Sequence, residues 1–329
     1  MKKFVYIIMA LGLLSSCGGD KEKFNVDISG IADPGMEVQR YGRDLFELNP
    51  DKLGAELPLL AEKYPFFLGE PPLDTLSYIQ IHEFITDPLL IEVALACDTI
   101  YPDTRQLEKE LNEAWRYYQY YFPRAEAPMV FSYVSGLDFE YPIQLHSGIL
   151  LIALDMYLGA DYTPYAEARI PRYRSRRATP EHLLRDVMIE AANSIPKNYP
   201  EENILLDQII EKGKVMYFLD ATLPEVHDTI KIGYTAEQLG WCEDNERNLW
   251  AFLIENELLF SSDYERTHKL IIDGPFTSYF PDGSPGRTGW WVGWQIVHSF
   301  MENNPDVSLP QLMQEMTARQ VLDNSGYNP

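Results

Sequence analysis

The sequence predicts an α+β domain, predominantly helical, with one small β-sheet. Three observations lead there. Capped helix starts ahead of apolar faces recur along the chain, β-prone runs are few and cluster near the middle, and strands do not alternate with helices as a doubly wound sheet requires. Taken in order, Val38 to Tyr41 is a weak strand candidate. Asn49-Pro50 is a cap followed by proline at the first helical position, and Leu53, Leu57 and Leu60 then share one face. Asp87-Pro88 repeats the device ahead of Leu89, Leu90, Val93 and Ala94. Thr104 opens a longer helix with Leu107, Leu111, Trp115 and Tyr118 on one side, stopped by Pro123. Met129 to Val134 and Ile149 to Leu154, bounded by Pro and Gly, are the clearest strands. Further helices are expected over 180–195, 204–219, 236–257, 289–303 and 309–322, two of them with capping boxes at Thr235/Gln238 and Ser308/Gln311. The last but one of these carries Trp290, Trp291, Trp294, Val297 and Phe300 nearly all round, the pattern of a buried helix.

The amino terminus reads differently. Met1-Lys2-Lys3 precedes an apolar run from Phe4 to Leu14, and Leu14-Ser15-Ser16-Cys17 has the form of a bacterial lipobox. The run is too short to span a hydrocarbon core of about 30 Å, so residues 1–16 are expected to be an export signal. Cleavage would leave Cys17 acylated, and because each buried methylene contributes about 0.8 kcal/mol, its chains would hold the protein firmly to a bilayer. Residues 17–23 form the lipidated cysteine and a short tether, and 24–329 a single globular domain. The protein is then a membrane-anchored lipoprotein facing the periplasm, on either the inner or the outer membrane.

Composition is that of a folded protein, with 21 Tyr, 15 Phe and 6 Trp to build a core. The net charge of −23, which becomes −25 without Lys2 and Lys3, repels nucleic acid and anionic headgroups alike. Nucleic acid is therefore not an expected partner, and the acyl chains rather than a basic face must provide attachment. Cys97 and Cys242 could pair, but each sits in an apolar helical context that favours two isolated thiols.

The chain lacks G-x-S-x-G, a phosphate-binding glycine loop, G-x-G-x-x-G, Cys-x-x-Cys and H-E-x-x-H, and His82-Glu83 is followed by Thr86 where a second imidazole is needed. No catalytic residue, cofactor or metal is expected. Weaker constellations remain. His182, Asp186 and Glu190 recur every four residues, so one helix face carries all three; they are metal candidates, or an ordinary polar stripe. Glu246 falls in register with Leu239, Cys242, Leu249 and Leu253, which reads as a carboxylate in the core paired with an arginine such as Arg287. Arg169, Arg172, Arg174, Arg176 and Arg177 crowd into nine residues of an acidic chain. They could dock an anionic partner or a phospholipid headgroup, or neutralise carboxylates of the protein itself.

Longer strings carry a family resemblance. Ile232-Gly233-Tyr234-Thr235-Ala236-Glu237-Gln238, then Trp241 and Asn245-Glu246, resemble the gliding-motility lipoprotein GldB family of Bacteroidota. So do Gly274-Pro275-Phe276-Thr277, Pro285-Gly286-Arg287-Thr288-Gly289 and Gly293-Trp294-Gln295-Ile296-Val297. Earlier matches are Tyr121-Phe122-Pro123, Leu154 to Gly159 and Gly213 to Phe218, and the tail Ser325 to Pro329 fits except at Gly326 and Asn328. The resemblance implies an accessory of the gliding apparatus that works beside the type IX secretion machinery, with other proteins of that machinery as partners and no known reaction. A second resemblance, in fold only, is to zincin metallopeptidases. In it Arg185, Asp186 and Ile189 would stand where H-E-x-x-H stands, and Lys212 before Gly213 where a glutamate stands, which implies a pseudo-enzyme; Glu211 is one position off. The functional expectation is a non-catalytic lipoprotein acting by protein–protein contacts. The alternatives are a zincin-derived hydrolase with an atypical metal site, and a glycan- or lipid-binding surface lipoprotein.

Overall fold

Four short strands make one mixed sheet. β1 (Val38–Gln39) and β2 (Met129–Tyr133) run parallel, β2 and β4 (Ile149–Ala153) run parallel, and β3 (Ile143–His146) closes the order β1-β2-β4-β3 as an antiparallel edge. The expected strands thus form within a residue or two of their predicted bounds, and β3 is an addition. The computed structural model describes residues 24–280 and 283–329; the predicted signal, Cys17 and the tether lie outside the described residues.

The longer helices are α1 (Tyr41–Phe46), α2 (Leu53–Lys63), α3 (Thr75–Thr86), α4 (Pro88–Ile100), α5 (Arg105–Tyr121), α6 (Pro180–Asn193), α7 (Leu205–Thr222), α8 (Ala236–Asp244), α9 (Glu246–Glu255), α10 (Thr288–Asn303), α11 (Leu309–Gln314) and α12 (Ala318–Ser325). The architecture is α+β and mostly helical. Asp87 caps α4 as the sequence suggests, accepting from the amides of Leu89 and Leu90, but the buried face of that helix is Val93 and Cys97, with Leu89 exposed. Two expected helices are each broken in two. The first stops at Asn245, whose side chain donates to the Trp241 carbonyl, and the second at Glu315, beyond which Thr317 and Gln320 form a new capping box.

The main core is built on α7, which is buried almost all round, and on α10, which crosses it. The crossing is close because glycines meet there. A Cβ at Gly213 would strike the backbone of Gly293, and one at Gly293 would strike the Ile209 carbonyl. On the far side of the sheet, Tyr41, Leu57, Leu60 and Tyr64 pack with Phe131 into a second, smaller core under α1–α3. Phe24, the first described residue, packs edge-on against Tyr217 with ring centroids 5.1 Å apart, and 6.4 Å from His298. Cys97 and Cys242 are buried, separate and free, and burial pushes both thiols up. No helix among the described residues is long and apolar enough to cross a membrane.

Candidate functional site

A cleft of about 570 Å³ opens between edge strand β3, helix α6 and a corner built from Arg174, Arg177, Asp273 and Arg287. In that corner one carboxylate meets three guanidinium groups. Arg177 is hydrogen-bonded to Asp273, while the Nε atoms of Arg174 and Arg287 lie 3.1 and 3.2 Å from it. Burial alone would raise the Asp273 pKa, but Arg287, Arg177 and Arg174 outweigh it and hold the carboxyl below the usual range. Burial, reinforced by Arg177, brings Arg287 down to about 9. The corner therefore carries more positive charge than its acid can neutralise.

Several distant segments are needed to assemble it. Arg287 sits at the start of α10 in the left-handed region, φ 59° and ψ 34°. A non-glycine residue there costs about 1–3 kcal/mol, and here the turn aims the guanidinium inward. Its Nη2 donates to the Ile232 carbonyl at 2.9 Å. Tyr234 donates to the Gly286 and Arg287 carbonyls, and Thr277 to the Pro285 carbonyl. Gly233, at φ 73°, leaves the room that Arg177 occupies, since a Cβ there would press on the Arg177 side chain at 2.7 Å. Trp290 lies 4.9 Å beneath the Arg287 guanidinium and 4.9 Å from Lys212.

The α6 wall carries the predicted polar residues, but they do not converge. His182 is buried, shares a 2.8 Å hydrogen bond with Thr179, and is driven down to about 4 by burial, so it is neutral at pH 7. Asp186 accepts from Tyr157 at 2.9 Å and from Arg185. Glu190, raised by burial, accepts a long 3.4 Å contact from the Asn193 side-chain amide. Among the described residues no group of three His, Cys, Asp or Glu is placed to hold a metal ion. Glu211, at the near-miss position of the zincin comparison, is tied to Lys197, Tyr199 and Lys214.

The arginine cluster divides. Arg174 and Arg177 enter the corner, Arg172 pairs with exposed Asp161, Arg176 reaches Gln238 at 3.0 Å, and Arg169 is exposed. The pairing expected of Glu246 needs correction. It accepts from Tyr327 of the tail at 2.9 Å, and Arg287 belongs to Asp273 instead. The break at Asn245 ends the helical register that placed Glu246 in line with Leu239 and Cys242, leaving it half-buried at the start of α9.

Sequence reasoning missed Asp273, which has no local signature, and it missed a second buried acid. Asp220 accepts from Lys231 at 2.7 Å, Trp294 Nε1 at 2.6 Å and His298 at 2.9 Å, wholly inside the core. Lys214, also buried, donates to Tyr199 and to the Met316 carbonyl, both at 2.6 Å. These are structural networks. In the cleft, too, Asp186 and Asp273 are held by guanidinium groups, whereas several buried arginine N–H groups make no aligned hydrogen bond. Such a site suits holding an anion better than moving a proton.

The strings 232–238, 274–277 and 285–289, on which the family resemblance rests, meet at this corner. A family model described as "Gliding motility protein GldB" matches residues 21–329. No curated protein and no solved structure matches the chain.

Proposed function

From the premise that the chain belongs to the GldB gliding-motility family, we propose that it is a lipid-anchored, non-catalytic component of the gliding apparatus and its associated type IX secretion machinery. It acts by contact with other proteins of that machinery, from the periplasmic face of a membrane. The family match over residues 21–329 carries this reading. Engagement by contact is supported by the surface of α3 and α4, two successive helices that leave Leu76, Ile79, Leu89, Ile91, Leu95 and Ile100 exposed. The non-catalytic part is supported by the cleft, where the best-placed carboxylates are occupied by arginines.

Replacing the chromosomal copy by variants tests both halves. Cys17→Ala should release the protein from the membrane fraction and abolish gliding or secretion. Glu190→Gln removes the half-buried cleft acid whose pKa burial raises, and it should leave both intact. Full function for the unanchored variant, or loss of function from Glu190→Gln at normal protein abundance, would overturn the reading.

A further inference from the structure

Two features of the cleft have unmet hydrogen-bonding capacity. The first is the arginine corner. Among the described residues, Arg174 Nε, Arg185 Nη2 and Arg287 Nε are buried and make no aligned hydrogen bond, although the two Nε atoms lie 3.1 and 3.2 Å from Asp273, and the side chains of Arg185 and Arg287 are each only 6% exposed. The other nitrogens of Arg185 are engaged, Nε donating to the Lys231 carbonyl at 2.7 Å and Nη1 to Asp186, and Arg287 Nη2 donates to the Ile232 carbonyl at 2.9 Å. A buried N–H without an acceptor is costly, and more so when it carries charge. Glu140 and Glu190 also line the cleft and Arg185 pairs with Asp186, so the excess positive charge is confined to the corner, where three guanidinium groups share the single carboxylate of Asp273.

The second is the free edge of the sheet. Pro142 accepts from the Ala153 amide at 2.9 Å, and Gln144 and His146 stand opposite Leu151 and Ile149. By the alternation of an antiparallel ladder, the N–H and C=O groups of Ile143 and Leu145 point away from β4. No backbone partner meets them among the described residues. These residues line the same cleft as Arg174, Arg185 and Arg287. A mobile phosphate or headgroup would satisfy the arginines and leave the strand edge unpaired. An extended polypeptide satisfies both.

We propose that this cleft docks an extended, acidic segment of a partner protein, which pairs with the open edge of Ile143–His146 and places an Asp or Glu carboxylate among Arg174, Arg177, Arg185 and Arg287. The inference rests on the reading of the cleft as a binding site rather than a catalytic one. It also explains how a chain of net charge −23 can attract acid: the attraction is local, inside a cleft where desolvated guanidinium groups act at short range.

The test uses the mature lipidated protein in detergent micelles and fluorescent hexapeptides carrying a central Glu, followed by anisotropy. Binding should weaken about tenfold or more when Glu is replaced by Gln, and similarly when alternate backbone amides of the peptide are N-methylated. Arg174→Gln, which alters the most exposed arginine of the corner, should produce the same loss for the Glu peptide and little change for the Gln peptide. Inorganic phosphate at equal charge should compete only weakly. Equal affinity for Glu and Gln peptides would overturn the proposal without any variant having to fold. So would indifference to N-methylation, or phosphate binding as tightly as the peptide. Mass spectrometry of the recovered peptide separates the two levels of the argument, since cleavage would sink the non-catalytic reading while leaving the measured binding to decide this one.

Discussion

Asp220→Ala will destabilise the fold by about 3–5 kcal/mol, the range for removing one partner of a buried ion pair. The reason is what remains behind. Lys231 is 4% exposed, and without Asp220 its nearest carboxylate is Asp228, 3.6 Å away and half in solvent. Trp294 Nε1 and His298 lose their acceptor in the same step. Urea unfolding of wild type and variant measures the difference, and a loss below about 1 kcal/mol would show that the network contributes little. Lys231→Met in the variant background should recover part of the loss, because it removes the uncompensated ammonium. The pH dependence follows from direction. Burial would raise Asp220, but the hydrogen bond from His298 and the charge of Lys231 outweigh it and the carboxyl is lowered. Asp273 is lowered too. A carboxylate depressed by folding contributes stability that is full above its unfolded value of about 3.9 and disappears as pH falls through its folded value. Both contributions are therefore intact at neutral pH and lost in acid, below about pH 4.

Gly293→Ala is the second large effect, on the order of 3 kcal/mol, near the upper end for overpacking a tight interior. In most helices alanine is the better residue by about 1 kcal/mol, so the sign itself is informative. At 293 the added methyl has nowhere to go, since it meets the Ile209 carbonyl of α7, a backbone atom that a rotamer change cannot move. Gly213→Ala on the facing helix should behave alike, and the double variant should lose less than the sum, because helices already separated accommodate the second methyl. Gly240 in α8 is the control. Nothing lies within 4 Å of its missing Cβ, so Gly240→Ala should be neutral or slightly stabilising. Equal stability of the 293 and 240 variants in the same denaturant titration would refute the close-crossing account.

How much of this was legible in the residues depended on range. Signals that act within four residues were read well: the Asp87-Pro88 start, the Thr235 and Ser308 capping boxes, and the buried tryptophan helix all form. Strand β3 was not legible, because four residues between Pro142 and Ser147 have no room for alternation and are held by the hairpin with β4. The breaks at Asn245 and Glu315 escaped notice since apolar periodicity continues across each, and the register error at Glu246 followed from the first. In the cleft, Arg174 and Arg177 stood out as part of a cluster, and Arg287 as part of a string. Their acid, Asp273, lies 96 residues from Arg177 and in no motif. Only tertiary structure could join them.

Phe24, wedged against Tyr217 and His298, also sets a geometric limit. It stands seven positions after Cys17, and seven residues drawn out fully reach at most about 25 Å. A folded chain of this size is about 50 Å across. Under the proposed acylation the leash is thus shorter than the body it holds, so the flank around Phe24 stays turned toward the lipid and the protein cannot tumble. For a partner held in the same membrane, the encounter then becomes a search in two dimensions between surfaces of fixed orientation.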